Sequence, residues 1–194
     1  GRTGQSRPSQ GYLSFINHYF YDVASRLDIG RLASFTEQFG FGKKLIVDFP
    51  TLVTGLVPNE EWKLKERGEK WYQGDTVNLG IGQGDLLVTP VQVAYLAATI
   101  ANRGELVDLK MVRSIPISAP VDAGEYSHTS SSKVPGLTPL DWERMAEAME
   151  DVVHLGGQGY GNNGTAWAYI GQNILYRMAG KSGTAPVVEI SQGE

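Results

Sequence analysis

The chain has 194 residues, with 17 Lys+Arg against 21 Asp+Glu and a formal net charge of -4. That length suits one domain, or two small ones, and allows a real core, while 41% hydrophobic and 20% charged residues argue against wholesale disorder. The mildly acidic balance argues against a nucleic-acid partner, which requires a basic face. Cysteine is absent, which excludes a disulfide framework, a thiolate nucleophile and Cys-ligated zinc. His18, His128 and His154 stand far apart, so neither a metal site nor any cofactor is expected. No apolar run approaches the roughly 18 residues of a membrane span, and Gly1-Arg2-Thr3-Gly4 resembles no signal peptide, so no anchor or signal is expected in this chain.

Residues 1–13 read as loop. From Asn17, the residues Tyr19, Phe20, Val23, Ala24 and Leu27 recur at helical spacing, and Gly30 is the expected stop. A second helix carries Leu32, Phe35 and Phe39 and ends at Gly40. Leu45 to Phe49 reads as a short strand before Pro50, and 51–80 as irregular chain anchored by Trp62, Trp71 and Tyr72. Thr89, Pro90 and Gln92 form a capping box with proline at the first helical position. The helix they open runs through Val91–Ala101, is apolar almost all round and is expected to be buried. Residues 114–137 are rich in Ser, Pro and Gly and read as a surface loop. Thr138-Pro139 with Asp141 repeats the helix-start device, and Trp142, Met145, Ala146, Met149, Val152 and Val153 give one apolar face. Residues 156–164 are a glycine cluster, one sign of tight turns or close backbone approaches. Residues 174–190 read as extended around Lys181-Ser182-Gly183-Thr184. Helices interspersed irregularly with strands indicate a mixed α+β domain.

Gly180-Lys181-Ser182-Gly183-Thr184-Ala185 is the best candidate for chemistry. A cation and two hydroxyls among small residues can bind a carboxylate, and edge-strand N–H groups can hold a developing oxyanion. The bland reading is a turn between strands, and residue types alone leave the two even. Three other patterns read as coincidence. Gly180-Lys181-Ser182 suggests a phosphate-binding P-loop, but Leu175 stands where that motif needs its first glycine, and Val187-Val188-Glu189-Ile190 is strand-like where a helix is required. Gly80-Ile81-Gly82-Gln83-Gly84-Asp85 has Asp85 in place of the third glycine of a dinucleotide fingerprint. Ser130-Ser131-Ser132-Lys133 matches the Ser-x-x-Lys of serine acyl-transferases, but it lies in the polar loop with no apolar period to make it a helix start.

Lys181-Ser182-Gly183-Thr184-Ala185 resembles the Lys-Thr/Ser-Gly-Thr box of penicillin-binding transpeptidases and serine β-lactamases. Gln38-Phe39-Gly40-Phe41-Gly42-Lys43, Trp71-Tyr72-Gln73-Gly74-Asp75-Thr76, Gly80-Ile81-Gly82-Gln83-Gly84 and Thr89-Pro90-Val91-Gln92 precede it in the order of the class B penicillin-binding proteins. The resemblance is greatest to the penicillin-binding protein 2 branch of cell elongation and runs from about residue 9 to residue 190.

This resemblance implies an α+β, β-lactamase/transpeptidase-like fold, an antiparallel sheet flanked by helices, here expected as a single partial domain over 1–194 that lacks segments at both ends. It implies a peptidoglycan D,D-transpeptidase in which a serine attacks the D-Ala-D-Ala carbonyl of a stem peptide. An amine then resolves the acyl-enzyme, and β-lactams mimic the donor. Lys181 would supply cleft electrostatics, Ser182, Gly183 and Thr184 the carboxylate contacts, and the Thr184 N–H part of the oxyanion hole. The family's Ser-x-x-Lys box belongs upstream and is missing here, so the isolated chain is expected to be inactive. The second box, aligned on Tyr19-Phe20-Tyr21, places Asn17 correctly but puts Phe15 where a hydroxyl belongs, with Ser14 one residue out of register. Pro186 stands where relatives carry Gln and suits only an open strand edge. Implied partners are stem peptides, β-lactams and membrane proteins of the elongation complex, and the implied location is the periplasmic face of the inner membrane. A fold-retaining binding or assembly protein without catalysis is the competing reading, and a P-loop nucleotide binder a remote third.

Overall fold

A computed structural model describes residues 17–46, 53–109, 132–157 and 163–184. Six α-helices occur among them, in the order α1 (Asn17–Ser25), α2 (Ile29–Glu37), α3 (Glu60–Arg67), α4 (Gln73–Gly80), α5 (Pro90–Ala101) and α6 (Pro139–His154), followed by a π-helical turn at Trp167–Gly171. The chain forms two units, one from Asp22–Ala146 and one from Gly1–Tyr21 with Glu147–Glu194. Among the described residues extended pairing is limited to isolated bridges, Ile46 with Leu109 (parallel), Leu56 with Leu87 and Glu105 with Lys133 (both antiparallel).

In the Asp22–Ala146 unit, side-chain caps decide where helices begin. The Asp28 carboxylate accepts from the Arg31 N–H and starts α2, so Gly30 lies inside a helix and does not end one. The segment 51–80, expected to be irregular, contains α3 and α4. Asn59 caps α3 through the Trp62 N–H at 2.8 Å, with Glu60 and Glu61 in its first turn and Lys65 and Arg67 in its last, the charge order that suits the helix dipole. Asp75 accepts from the Tyr72 N–H at 2.8 Å and so fastens the start of α4.

The capping box of α5 is formed in both directions. Thr89 Oγ1 accepts from the Gln92 N–H at 3.2 Å, and Gln92 Oε1 accepts from the Thr89 N–H at 2.9 Å. The expectation that α5 is buried all round fails. Its inward face is Gln92, Tyr95 and Thr99, while Val93 is half exposed. Polar groups can occupy that face because they are satisfied. Gln92, 1% exposed, donates from Nε2 to the carbonyls of Thr54 (2.7 Å), Gly40 (3.1 Å) and, less well, Lys43 (3.4 Å). Thr99 Oγ1 donates to the Tyr95 carbonyl at 2.9 Å.

The core of this unit is Phe39, Val134 and Trp142, with Leu96, Ile100 and Met145 among the residues packed on it. Phe39 and Trp142 meet edge to face at 6.3 Å between ring centroids. Gly104, at φ 88°, lets the backbone after α5 lie against the Trp142 ring, where a Cβ would collide. Of the 114–137 segment, 114–131 lies outside the described residues. Its last part is anchored by the Lys133 bridge and by Val134, which is buried.

In the other unit the end of α6 presents Val152 and Val153, both buried. The glycine-rich stretch returns across it. Gly164 donates to the Leu155 carbonyl at 2.8 Å and Ala166 to the Val152 carbonyl at 3.0 Å. A Cβ on Gly164 would overlap the Asp151 and Val152 carbonyls, so this approach of backbone to helix end requires glycine.

Candidate functional site

The candidate box lies just beyond a stretch that is tied to α6. Arg177 makes a forked ion pair with Glu150, with N–O distances of 2.8 Å. The Met178 N–H donates to His154 Nε2 at 2.9 Å, and the Gly180 N–H donates to the Met149 carbonyl at 3.0 Å. The expectation of a strand in this region is corrected for 174–184, which enters no ladder. Two of its N–H groups find acceptors on a helix, so neither takes part in a β-ladder. Residues 185–190, Pro186 included, lie outside the described residues.

Lys181 follows at once. It is exposed as a residue, and its ammonium donates to the Ser182 carbonyl at 2.8 Å. Partial burial lowers its pKa below the ordinary lysine value, since desolvation disfavours the charged form. Ser182 Oγ is shielded from solvent and meets no hydrogen-bond partner among the described residues. A buried hydroxyl without a partner is uncommon and costly unless something else supplies the bond. Among the described residues nothing lies within 4 Å of the place a Cβ on Gly183 would take, and Thr184 is exposed. Among the described residues the four thus present a cation, one shielded hydroxyl, a second hydroxyl on an exposed residue and an uncrowded glycine, a set that suits a carboxylate.

Of the second-box candidates, Asn17 is the first residue of α1 and belongs to the same unit, while Ser14 and Phe15 lie outside the described residues. The discarded patterns have structural explanations. Lys133, the lysine of the loop's Ser-x-x-Lys match, sits in a β-bridge with its ammonium 3.0 Å from Glu105. Gly80-Ile81-Gly82-Gln83-Gly84 is the end of α4 and the turn after it. Gly82 and Gly84 have positive φ, and the Gln83 N–H returns to the Asn78 carbonyl at 2.9 Å. No helix follows Lys181 through residue 184, as a P-loop would need.

Sequence reasoning missed one ionic cluster. Lys63 is only 6% exposed, 2.8 Å from Asp75 and 3.7 Å from Glu69, and lies over the Tyr72 ring at 5.0 Å. The hydrogen bond that Lys63 donates to Asp75, ahead of the charges of Asp75 and Glu69, holds the Lys63 pKa above its ordinary value despite burial. Burial works to raise the Asp75 pKa, but Lys63 and the Tyr72 N–H outweigh it and leave that carboxyl below its ordinary value. A lone lysine in a charged helix carries no sequence mark of burial. The only available signal was Asp75 within the Trp71–Thr76 motif.

The family model of the penicillin binding protein transpeptidase domain matches residues 15–194. The chain belongs to this family. Among curated relatives, the peptidoglycan D,D-transpeptidase MrdA of Acinetobacter baumannii is 37% identical over 178 residues, covering 91% of this chain and 24% of that protein. MrdA of Haemophilus influenzae is 33% identical over 180 residues, covering 91% of the chain and 26% of its own length. The chain therefore spans about a quarter of the curated relatives it matches. Among solved structures, penicillin-binding protein 2 of Pseudomonas aeruginosa in complex with WCK 5153 superposes with a TM-score of 0.70 at 39% identity, over 88% of this chain and 36% of that one. These neighbours assign the penicillin-binding transpeptidase fold to the chain, with the elongation-type penicillin-binding protein 2 among its relatives. Among the described residues no helix is long and apolar enough to cross a membrane.

Proposed function

We propose that residues 1–194 form one partial transpeptidase domain that supplies the carboxylate-binding side of a peptidoglycan D,D-transpeptidase site. The observation that carries the reading is the shielded Ser182 Oγ beside Lys181, which meets no hydrogen-bond partner among the described residues, in a chain of the penicillin-binding family. In this role Lys181 places positive charge beside the incoming peptide terminus, and Ser182 and Thr184 donate their hydroxyls to its carboxylate across Gly183. The Thr184 N–H points toward the carbonyl under attack and stabilises the oxyanion as it forms. Asn17, with Ser14 as the nearest hydroxyl, belongs to the second box, which relays the proton toward the departing amine.

In this reading the attacking serine comes from outside residues 1–194, so this stretch by itself binds but does not acylate. β-lactams occupy the same contacts, because they carry a carboxylate and a strained carbonyl in the donor's geometry. Location at the periplasmic face of the inner membrane, and assembly with membrane proteins of the elongation machinery, fit the relatives. One solved neighbour is a complex between penicillin-binding protein 2 and MreC from Helicobacter pylori, with a TM-score of 0.69 at 27% identity over 94% of this chain and 31% of that one.

The test is a chimera in which this chain replaces the matching segment of the Acinetobacter baumannii relative. Fluorescent penicillin should label the chimera covalently and leave the isolated chain unlabelled, by gel and intact mass. A folded chimera that is never labelled would favour the fold-retaining, non-catalytic alternative. An adduct on the isolated chain mapped to Ser130 would restore the loop motif dismissed above.

A further inference from the structure

The residues that fix the approach to Lys181 are on α6. Glu150 and His154 are one turn apart and meet Arg177 and Met178, while the carbonyl of Met149, just before Glu150, takes the Gly180 N–H. These contacts differ in what they can hold. The Arg177 side chain is 82% exposed, so its ion pair is screened by water and worth little. The Gly180 bond falls on a carbonyl that a helix already uses for its own ladder.

The contact from Met178 is specific, because a backbone N–H can only donate and His154 must accept. His154 Nε2 therefore carries a lone pair. The ring is neutral, with its remaining proton on Nδ1. Neither a protonated imidazole nor an apolar side chain can make this bond.

We propose that His154 is a positioning residue for the Lys181–Thr184 box: its neutral ring anchors the Met178 backbone, three residues before Lys181. This rests on the reading of Lys181–Thr184 as the carboxylate site. The consequence is geometric. A carboxylate gripped by short side chains tolerates little displacement, and misplacement by about 1 Å can cost as much as ~100-fold in rate. Freeing Met178 loosens the chain immediately ahead of Gly180, so Lys181, Ser182 and Thr184 lose a fixed origin while α6 stays folded.

The experiment pairs His154→Leu, which removes the acceptor, with His154→Gln, whose amide oxygen reaches a similar distance and restores it. In the 194-residue chain, amide exchange at Met178 and Gly180 should quicken by about tenfold or more in H154L and by less than about threefold in H154Q, with Val134 and Trp142 unchanged. The 15N spectrum of the wild-type ring should show Nε2 as the unprotonated nitrogen. In the chimera, penicillin acylation should fall about tenfold in H154L and return to within about twofold in H154Q.

Equal exchange at Met178 in wild type and H154L, or a proton on Nε2, would overturn the anchor. Faster exchange with unchanged acylation would overturn the positioning role. A wild-type chimera that is not acylated would instead count against the carboxylate site, while the exchange and 15N results would still decide the anchor.

Discussion

Replacing Gln92 with Met keeps the volume and apolar contact of the side chain and removes only its hydrogen bonds. The amide has two N–H groups, and their good acceptors are the Thr54 carbonyl at 2.7 Å and the Gly40 carbonyl at 3.1 Å, with Lys43 at 3.4 Å sharing one of them. The Gly40 carbonyl also accepts from the Lys43 N–H at 3.3 Å and so keeps a partner in the mutant. The Thr54 carbonyl and the Thr89 N–H lose the Gln92 side chain, and both are partly buried. A buried group left unsatisfied costs about 1–3 kcal/mol, so two partly buried ones together with the lost bonds give roughly 2–4 kcal/mol. With a urea slope of about 2 kcal/mol/M, the midpoint should fall by about 1–2 M. Gln92→Glu should be worse at neutral pH, because a carboxylate then faces carbonyl oxygens, and the gap from Gln92→Met should narrow in acid as that carboxyl gains a proton to donate. Urea titrations followed by far-UV circular dichroism measure all three proteins. A Gln92→Met variant within about 0.5 kcal/mol of wild type would show that the buried amide is a passenger and that the explanation of this family motif is wrong.

Gly104→Ala should be among the most damaging small substitutions, at about 3–5 kcal/mol, since it adds left-handed strain to a collision with the buried Trp142 ring; thermal denaturation with tryptophan fluorescence reads it, and a loss under about 1 kcal/mol would contradict the close approach. The Lys63–Asp75 pair should shape both limbs of the stability profile. The lowered Asp75 pKa contributes stability that is present above the ordinary carboxyl value of 3.8 and lost as pH falls through the depressed value. The raised Lys63 pKa contributes stability that is present below the ordinary 10.5 and lost as pH rises through the elevated value. Asp75→Asn should flatten the acid limb in part, because Asp141, held low by its Thr138 hydrogen bonds, adds a slope of the same sign, and Lys63→Met should flatten the alkaline limb. Melting temperatures that follow pH in parallel for all three proteins would show the pair to be inert.

What could be read from the sequence was local chemistry with a fixed offset. Thr89 with Gln92, and Thr138 with Asp141, announced their helices because a capping box depends only on residues three apart, and both boxes close. Helix α3 was missed because six of the eight residues of Glu60–Arg67 are charged and it buries Lys63, so hydrophobic periodicity is weak there. Helix α4 was missed because two of its eight residues are glycine, and it depends on Asp75 at its start. The reading of α5 failed for the opposite reason. Val93 is left half exposed while Gln92 and Thr99 are buried, because backbone carbonyls from distant segments converge on a polar side chain. The Lys181–Thr184 box was legible as a string of residue types, but its attachment was not. His154 and Glu150 precede Met178 and Arg177 by 24 and 27 residues, and no local pattern joins them.

The central claim, that Lys181-Ser182-Gly183-Thr184 receives a carboxylate beside the scissile carbonyl, is tested most directly by the penicillin acylation rate of the chimera carrying Lys181→Ala or Thr184→Val. Loss of a preorganised electrostatic contact predicts a fall of about two orders of magnitude for Lys181→Ala. For Thr184→Val it predicts weaker penicillin recognition with an unchanged melting temperature. Acylation at the wild-type rate in both folded variants would remove these residues from the site.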